Sequence, residues 1–245
     1  MLALEFAETA GKGEVVEERD LTPALKRLCF VAPVSFGEGR GYRRGVYHTL
    51  ITKGDPLTDD KLMEDIEKSV ARSISMICST GKRRILVVGL GNPNAVVDAL
   101  GAETVKRLSV GKRGRRYLGA LVPSVYGLTG LETASVVRGV AAEFCPDLIL
   151  SVDTLATSRA ERLSRAVQIT DGGVVPGGGV GNRRAPLCKE SLGVPVLSLG
   201  VSLLARFSGA TFPTEVVVTP KEIDLLVPRF AAALACGVER ALFRG

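Results

Sequence analysis

The chain holds a single histidine, His48, and no tryptophan in 245 residues. One imidazole excludes chemistry that needs two, and it removes Ser-His-Asp and Cys-His catalysis unless His48 reaches across the fold. His48 lies in the run Val46 to Ile51, which reads as one face of a strand. The five cysteines (Cys29, Cys78, Cys145, Cys188, Cys236) are odd in number, scattered and without a C-x-x-C pair. That excludes a disulfide framework and a zinc ribbon, and it points to a reducing compartment. No apolar run is long enough to span a bilayer. Glu5 and Glu8 stand where an export signal needs a basic and then an apolar stretch. No G-K-[S/T] follows any glycine run, so a phosphate-binding P-loop is excluded. Gly89-Leu-Gly91 opens like a dinucleotide fingerprint, but Asn94 stands in place of the third glycine, and no cofactor is expected.

What is present is enough apolar residue, 46%, to bury one substantial core in a chain of this length. The reading is one domain over 1–245, with a β-rich N-terminal arm (1–58) and an α/β core (59–245). The net charge of +6 comes partly from clusters at Lys82-Arg83-Arg84, Lys112-Arg113 with Arg115-Arg116, and Arg183-Arg184. Such clusters are usually solvated surface, and contact with nucleic acid is not expected.

In the arm, strand-like pieces at 27–32 and 46–52 flank a Gly/Arg-rich stretch and read as an antiparallel hairpin. Leu62, Ile66, Val70, Ile74 and Ile77 recur at helical spacing, with Thr58 or Asp59 available as cap. The following units alternate: strand 85–90, helix about 95–108, strand 117–122, helix about 131–144, strand 148–152, helix about 157–167, a glycine-rich loop over 171–181, and strand 194–200. Alternation of this kind implies a parallel sheet with right-handed crossovers. Thr129 with Glu132, and Thr219 with Glu222, have the spacing of capping boxes. Pro228 is expected to kink or divide the last helix.

Two aspartates stand just beyond buried-strand patterns: Asp98 after the run from Ile85, and Asp153 after Leu148-Ile-Leu-Ser-Val152. In an open parallel sheet the crevice outside the carboxyl ends of the strands gathers chemistry, so two adjacent strands would bring both acids to one rim. Two close carboxylates do not ionise together easily. One pKa rises while the other stays low, which provides an acid and a base at one pH. Read alone, Asp98 is equally a first-turn helix residue and Asp153 a strand-end cap. Asp171, before the glycine-rich loop, is the next carboxylate to consider, with turn capping as its simpler role.

Gly89-Leu-Gly-Asn-Pro93 resembles the opening of peptidyl-tRNA hydrolases, which need a histidine shortly downstream; this chain has none there. A far denser resemblance runs from Gly89 to Gly200. Val-Gly-Leu-Gly-Asn (88–92), Asp-Ala-Leu-Gly (98–101), Gly-Leu-Thr-Gly-Leu-Glu-Thr (127–133), and the run from Pro146 to Ala156 are similar to the germination proteases of spore-forming bacteria. The likeness continues through 168–174, 176–184, 192–196 and 218–224. That resemblance implies an α/β/α sandwich and a homotetramer in the spore-core cytoplasm. It also implies an endopeptidase of aspartic type that degrades small acid-soluble spore proteins, with the catalytic pair on Asp98 and Asp153.

The hydrogenase-maturation proteases share the implied fold and place acidic metal ligands at comparable strand ends, but the histidine they also use has no counterpart here, and no metal is expected. The family usually carries Thr-Pro before its first aspartate, where this chain has Val96-Val97. Members are commonly zymogens with a short prosegment, and this chain begins about where the mature form would. Leu4 to Thr9 resembles the Glu-Phe-Ala sites these enzymes cut, which makes Glu5-Phe6 a candidate self-cleavage site. Cleavage after glutamate calls for a nearby cation, and Arg159, Arg183 and Arg184 are the candidates. The alternatives are a non-catalytic binding or regulatory relative of the same fold, and a peptidyl-tRNA hydrolase dependent on His48.

Overall fold

The computed structural model describes residues 5, 14–32, 43–78, 81, 83–177, 184–209 and 212–243. Phe6, Arg183 and residues 178–181 of the glycine-rich loop lie outside them. The chain opens with three antiparallel strands, β1 (Glu14–Thr22), β2 (Leu25–Ala32) and β3 (Gly45–Thr52). Helix α1 (Asp60–Ile77) follows, started by Asp59, whose carboxylate accepts from the Leu62 N–H at 2.9 Å. Of the stripe read from the spacing, Leu62, Ile66, Val70 and Ile74 are buried, joined by Met63, while Ile77 at the helix end is only partly buried. Burying each such side chain contributes roughly 1.5–3 kcal/mol.

Next come β4 (Arg84–Gly89), a short 3-10 turn (Val96–Asp98), α2 (Leu100–Lys106), β5 (Gly111–Arg113) and β6 (Arg116–Leu121). A one-turn helix α3 (Tyr126–Thr129), α4 (Thr133–Phe144) and β7 (Leu148–Thr157) complete the middle of the chain. After a 3-10 turn (Ala160–Arg162) come β8 (Ala166–Thr170), one-turn α5 (Lys189–Leu192), β9 (Val196–Gly209), β10 (Phe212–Val218) and α6 (Ile223–Phe243).

All ten strands form one sheet in the order β1-β2-β3-β8-β9-β7-β4-β6-β5, with β10 paired to β9. Its centre, β9-β7-β4-β6, is parallel. The expected α/β/α sandwich is present, and the alternation along β4 shows why. Ile85 and Val87 join the core that contains α1 and α6, while Leu86 and Val88 join the core under α4. The arm is continuous with this sheet, because β3 pairs with β8.

Four details differ from the sequence reading. The helix expected over about 157–167 is instead the end of β7, a 3-10 turn and β8. β8 fills the place between β3 and β9, where Ala166, Val167 and Ile169 are fully buried, and that packing overrides the helix-forming residues of the turn. Strand β9 runs on to Gly209 and returns as β10, a hairpin the sequence reading lacks. Neither capping box forms. Thr129 closes α3 and accepts from the Leu131 N–H, Glu132 pairs with Arg184, and α6 begins only at Ile223. Pro228 sits inside α6 without dividing it.

Candidate active site

After β4 the backbone reverses through Gly91, whose φ is +94°. A Cβ at this position would stand 2.0 Å from the Asp98 carbonyl oxygen, so the turn requires glycine. The turn then grips its own aspartate: the Asn92 N–H donates to Asp98 Oδ2 at 2.7 Å, and the Asp98 N–H donates to the Ala95 carbonyl at 2.8 Å. Two bonds fasten this turn to β7. The Leu90 N–H donates to the Val152 carbonyl at 2.8 Å, and the Thr154 hydroxyl donates to the Val97 carbonyl at 2.9 Å. Asp98 and Asp153 are the chain neighbours of that last bonded pair. Asp153 lies within β7, one residue past its last pairing with β4, and not beyond the strand as the sequence reading had it; both acids stand at the rim where β4 ends beside β7.

The two environments differ. Asp153 is 8% exposed, and its Oδ1 accepts from the Thr154 N–H at 2.9 Å. Burial, and after it the negative charge of Asp98, push the Asp153 carboxyl up to about 7, against the Thr154 N–H, which favours the ionised form. Burial also raises Asp98, and there the Asn92 N–H works in the opposite direction. Below about pH 7 this arrangement keeps a proton on Asp153, next to the Asp98 carboxyl, whose own pKa is raised as well.

The family-model comparison matches residues 31–211 to the germination protease family. The chain belongs to the germination protease family. A germination protease of Caldanaerobacter subterraneus subsp. tengcongensis is 34% identical, covering 82% of this chain and 79% of that protein. The germination protease of Bacillus thuringiensis subsp. konkukian is 32% identical, covering 92% of this chain and 63% of that protein. The chain thus spans rather less than two thirds of the Bacillus relative. Among solved structures, a NiFe hydrogenase maturation protease, HycI, from Thermococcus kodakarensis is similar at 24% identity and a TM-score of 0.43, covering 71% of this chain and 98% of that one.

The other residues singled out in the sequence fall elsewhere. Asp171 Oδ1 accepts from the Val46 N–H at 2.7 Å and pins the start of β3. Asp153 aligns with Gly200 and Gly200 with Gln168, so Asp171 lies two strands across and three residues toward the other end of the sheet. His48 is 3% exposed on β3, opposite Cys29 and Ile169, and three strands from β7. At strand spacing that is about 14 Å. Burial and the charge of Arg27 lower its pKa, which keeps the imidazole neutral. Arg184 pairs with Glu132 at 3.2 Å and covers the Tyr126 ring, 5.4 Å from its centroid. Arg159 Nη1 lies 3.9 Å from Glu161. Among the described residues no group of three or more His, Cys, Asp and Glu side chains is placed to hold a metal ion, and no helix is long and apolar enough to cross a membrane.

Sequence reasoning missed the groups around Glu5. Its side chain is buried at the end of β7, where it accepts from Thr157 and Ser158 and faces Arg162. No spacing rule could link these partners, because Glu5 and Thr157 are 152 positions apart.

Proposed function

We propose that this chain is an endopeptidase that hydrolyses small acid-soluble spore proteins with a water molecule activated between Asp98 and Asp153. The observation that carries this reading is the convergence of the two acids at one rim, with the more buried one raised to about 7 by burial and by its neighbour. Asp98, ionised, takes a proton from water as it attacks the peptide carbonyl. Asp153, protonated, donates to the carbonyl oxygen; as the tetrahedral intermediate collapses, Asp98 passes the proton it took from water to the leaving amine and Asp153 takes its own back from the intermediate's hydroxyl, which restores the pair. The pair exchanges protons as a unit, so the rate follows the pair's titration rather than that of either residue. The same reading includes a homotetramer in the spore-core cytoplasm, no cofactor, and self-cleavage at Glu5-Phe6 once Glu5 leaves its buried position. Family membership supports the peptidase class, and the placement of His48 in β3 favours carboxylate over histidine chemistry.

The test is incubation of the purified chain with a small acid-soluble spore protein, followed by mass spectrometry. Discrete fragments from the parent, and none from Asp98→Asn or Asp153→Asn with an unchanged circular dichroism spectrum, are expected. Undiminished cutting by either variant overturns the assignment.

A further inference from the structure

Glu5 occupies a site built for its carboxylate. The side chain is 2% exposed. Its Oε1 accepts from the Thr157 hydroxyl and lies 3.7 Å from Arg162 Nη1, while Oε2 accepts from the Ser158 N–H at 2.7 Å and the Ser158 hydroxyl at 2.8 Å. Burial of a carboxylate is costly unless its oxygens are met by donors, and here both are. The donors come from one short run, 157–162, at the carboxyl end of β7; the acceptor comes from the far N-terminus. The cradle is therefore formed by one part of the chain and filled by another.

Its location gives it a second meaning. Thr157 follows Asp153 by four residues on the same strand, about 13 Å at the rise of a strand. That is also the span of four residues of an extended peptide. A peptide lying along this strand end with a glutamate in the cradle has a backbone bond within reach of Asp98 and Asp153.

We propose that Thr157, Ser158 and Arg162 form a subsite for a glutamate side chain of an extended peptide substrate, filled in the free enzyme by Glu5 as an internal occupant that substrate must displace. The proposal rests on the peptidase reading of Asp98 and Asp153. A tethered occupant acts at a high effective concentration, so removing it strengthens binding of a peptide in solution. A glutamine in the same place loses the charge-assisted bonds and turns an amide N–H₂ toward donors.

The test measures binding with turnover switched off, in the full chain carrying Asp98→Asn. Fluorescence anisotropy compares a short labelled peptide containing one glutamate with its glutamine twin. Adding Glu5→Ala is expected to tighten the glutamate peptide about tenfold or more. The glutamate peptide then exceeds its twin by about tenfold or more, a preference that Arg162→Gln removes. Equal affinity for the two peptides in folded Glu5→Ala protein, or no gain on removing Glu5, overturns the proposal. A second readout leaves Glu5 in place. A saturating amount of the glutamate peptide should speed hydrogen exchange in the N-terminal segment while the glutamine twin does not, and no acceleration overturns the proposal as well. Because binding is read without cleavage, failure here leaves the aspartate pair standing, and cleavage that survives Asp98→Asn leaves the cradle standing.

Discussion

Replacement of Asp153 by asparagine should stabilise the folded protein at alkaline pH while removing its activity. The folded carboxyl titrates at about 7, above the ordinary aspartate value of 3.8, so between these values the folded chain keeps a proton that the unfolded chain has lost. The stability contributed by this group is fully present below pH 4 and is lost as pH rises through 7. The interval corresponds to about 4 kcal/mol. The side chain is almost fully buried, so solvent screening takes little from this figure, but Asp98 shares part of it because the two acids repel. Asparagine is neutral, nearly the same shape, and keeps an oxygen for the Thr154 N–H. The expected gain at pH 8 is therefore about 2–4 kcal/mol, or roughly 5–15 °C in Tm for a chain of this size. Thermal and urea unfolding from pH 4 to 9 would read it. The parent and variant curves should converge near pH 4, separate up to about pH 7, and run parallel above. A variant no more stable than the parent at pH 8, or a gap that does not change with pH, would refute the reasoning.

Three further outcomes are expected. Asp98→Asn should reduce cleavage about a hundredfold or more and, by removing a neighbouring negative charge, lower the pH at which Asp153 titrates, seen as a downward shift of the stability transition. Thr154→Val leaves the Val97 carbonyl without its hydroxyl donor, at a cost of about 1–3 kcal/mol, and loosens the turn bearing Asp98; kcat should fall while KM changes little. Gly91→Ala forces a positive φ and a contact with the Asp98 carbonyl, so a loss of at least about 3 kcal/mol in urea unfolding is expected, together with loss of activity.

Much of the fold was legible because burial on both faces writes itself into the sequence. β4 and the first half of β7, Leu148–Val152, are nearly continuous apolar runs, and α1 carries a clean stripe with Asp59 at its head. β8 was not legible, since Val167 to Thr170 is short and the residues before it favour a helix; only the gap between β3 and β9 makes it a strand. The failed capping boxes show the same limit, because Glu132 is drawn to Arg184, 52 positions away, and not to the helix it precedes. Asp98 could be singled out past the end of β4 and Asp153 after the apolar run Leu148–Val152, although β7 continues through Asp153 to Thr157. The bond from Thr154 to Val97 that joins their segments, and the cradle around Glu5, depend on contacts between distant parts of the chain.

The most direct test of the shared-proton mechanism is a carbon-13 NMR titration of the aspartate carboxyls set beside the pH profile of cleavage on the same sample. Asp153 should remain protonated at pH 6 and titrate near 7, and cleavage should fall over the same interval as the pair loses its proton. An Asp153 already ionised at pH 5, or a cleavage rate that is constant while Asp153 titrates, would contradict an aspartate pair that works by holding one proton.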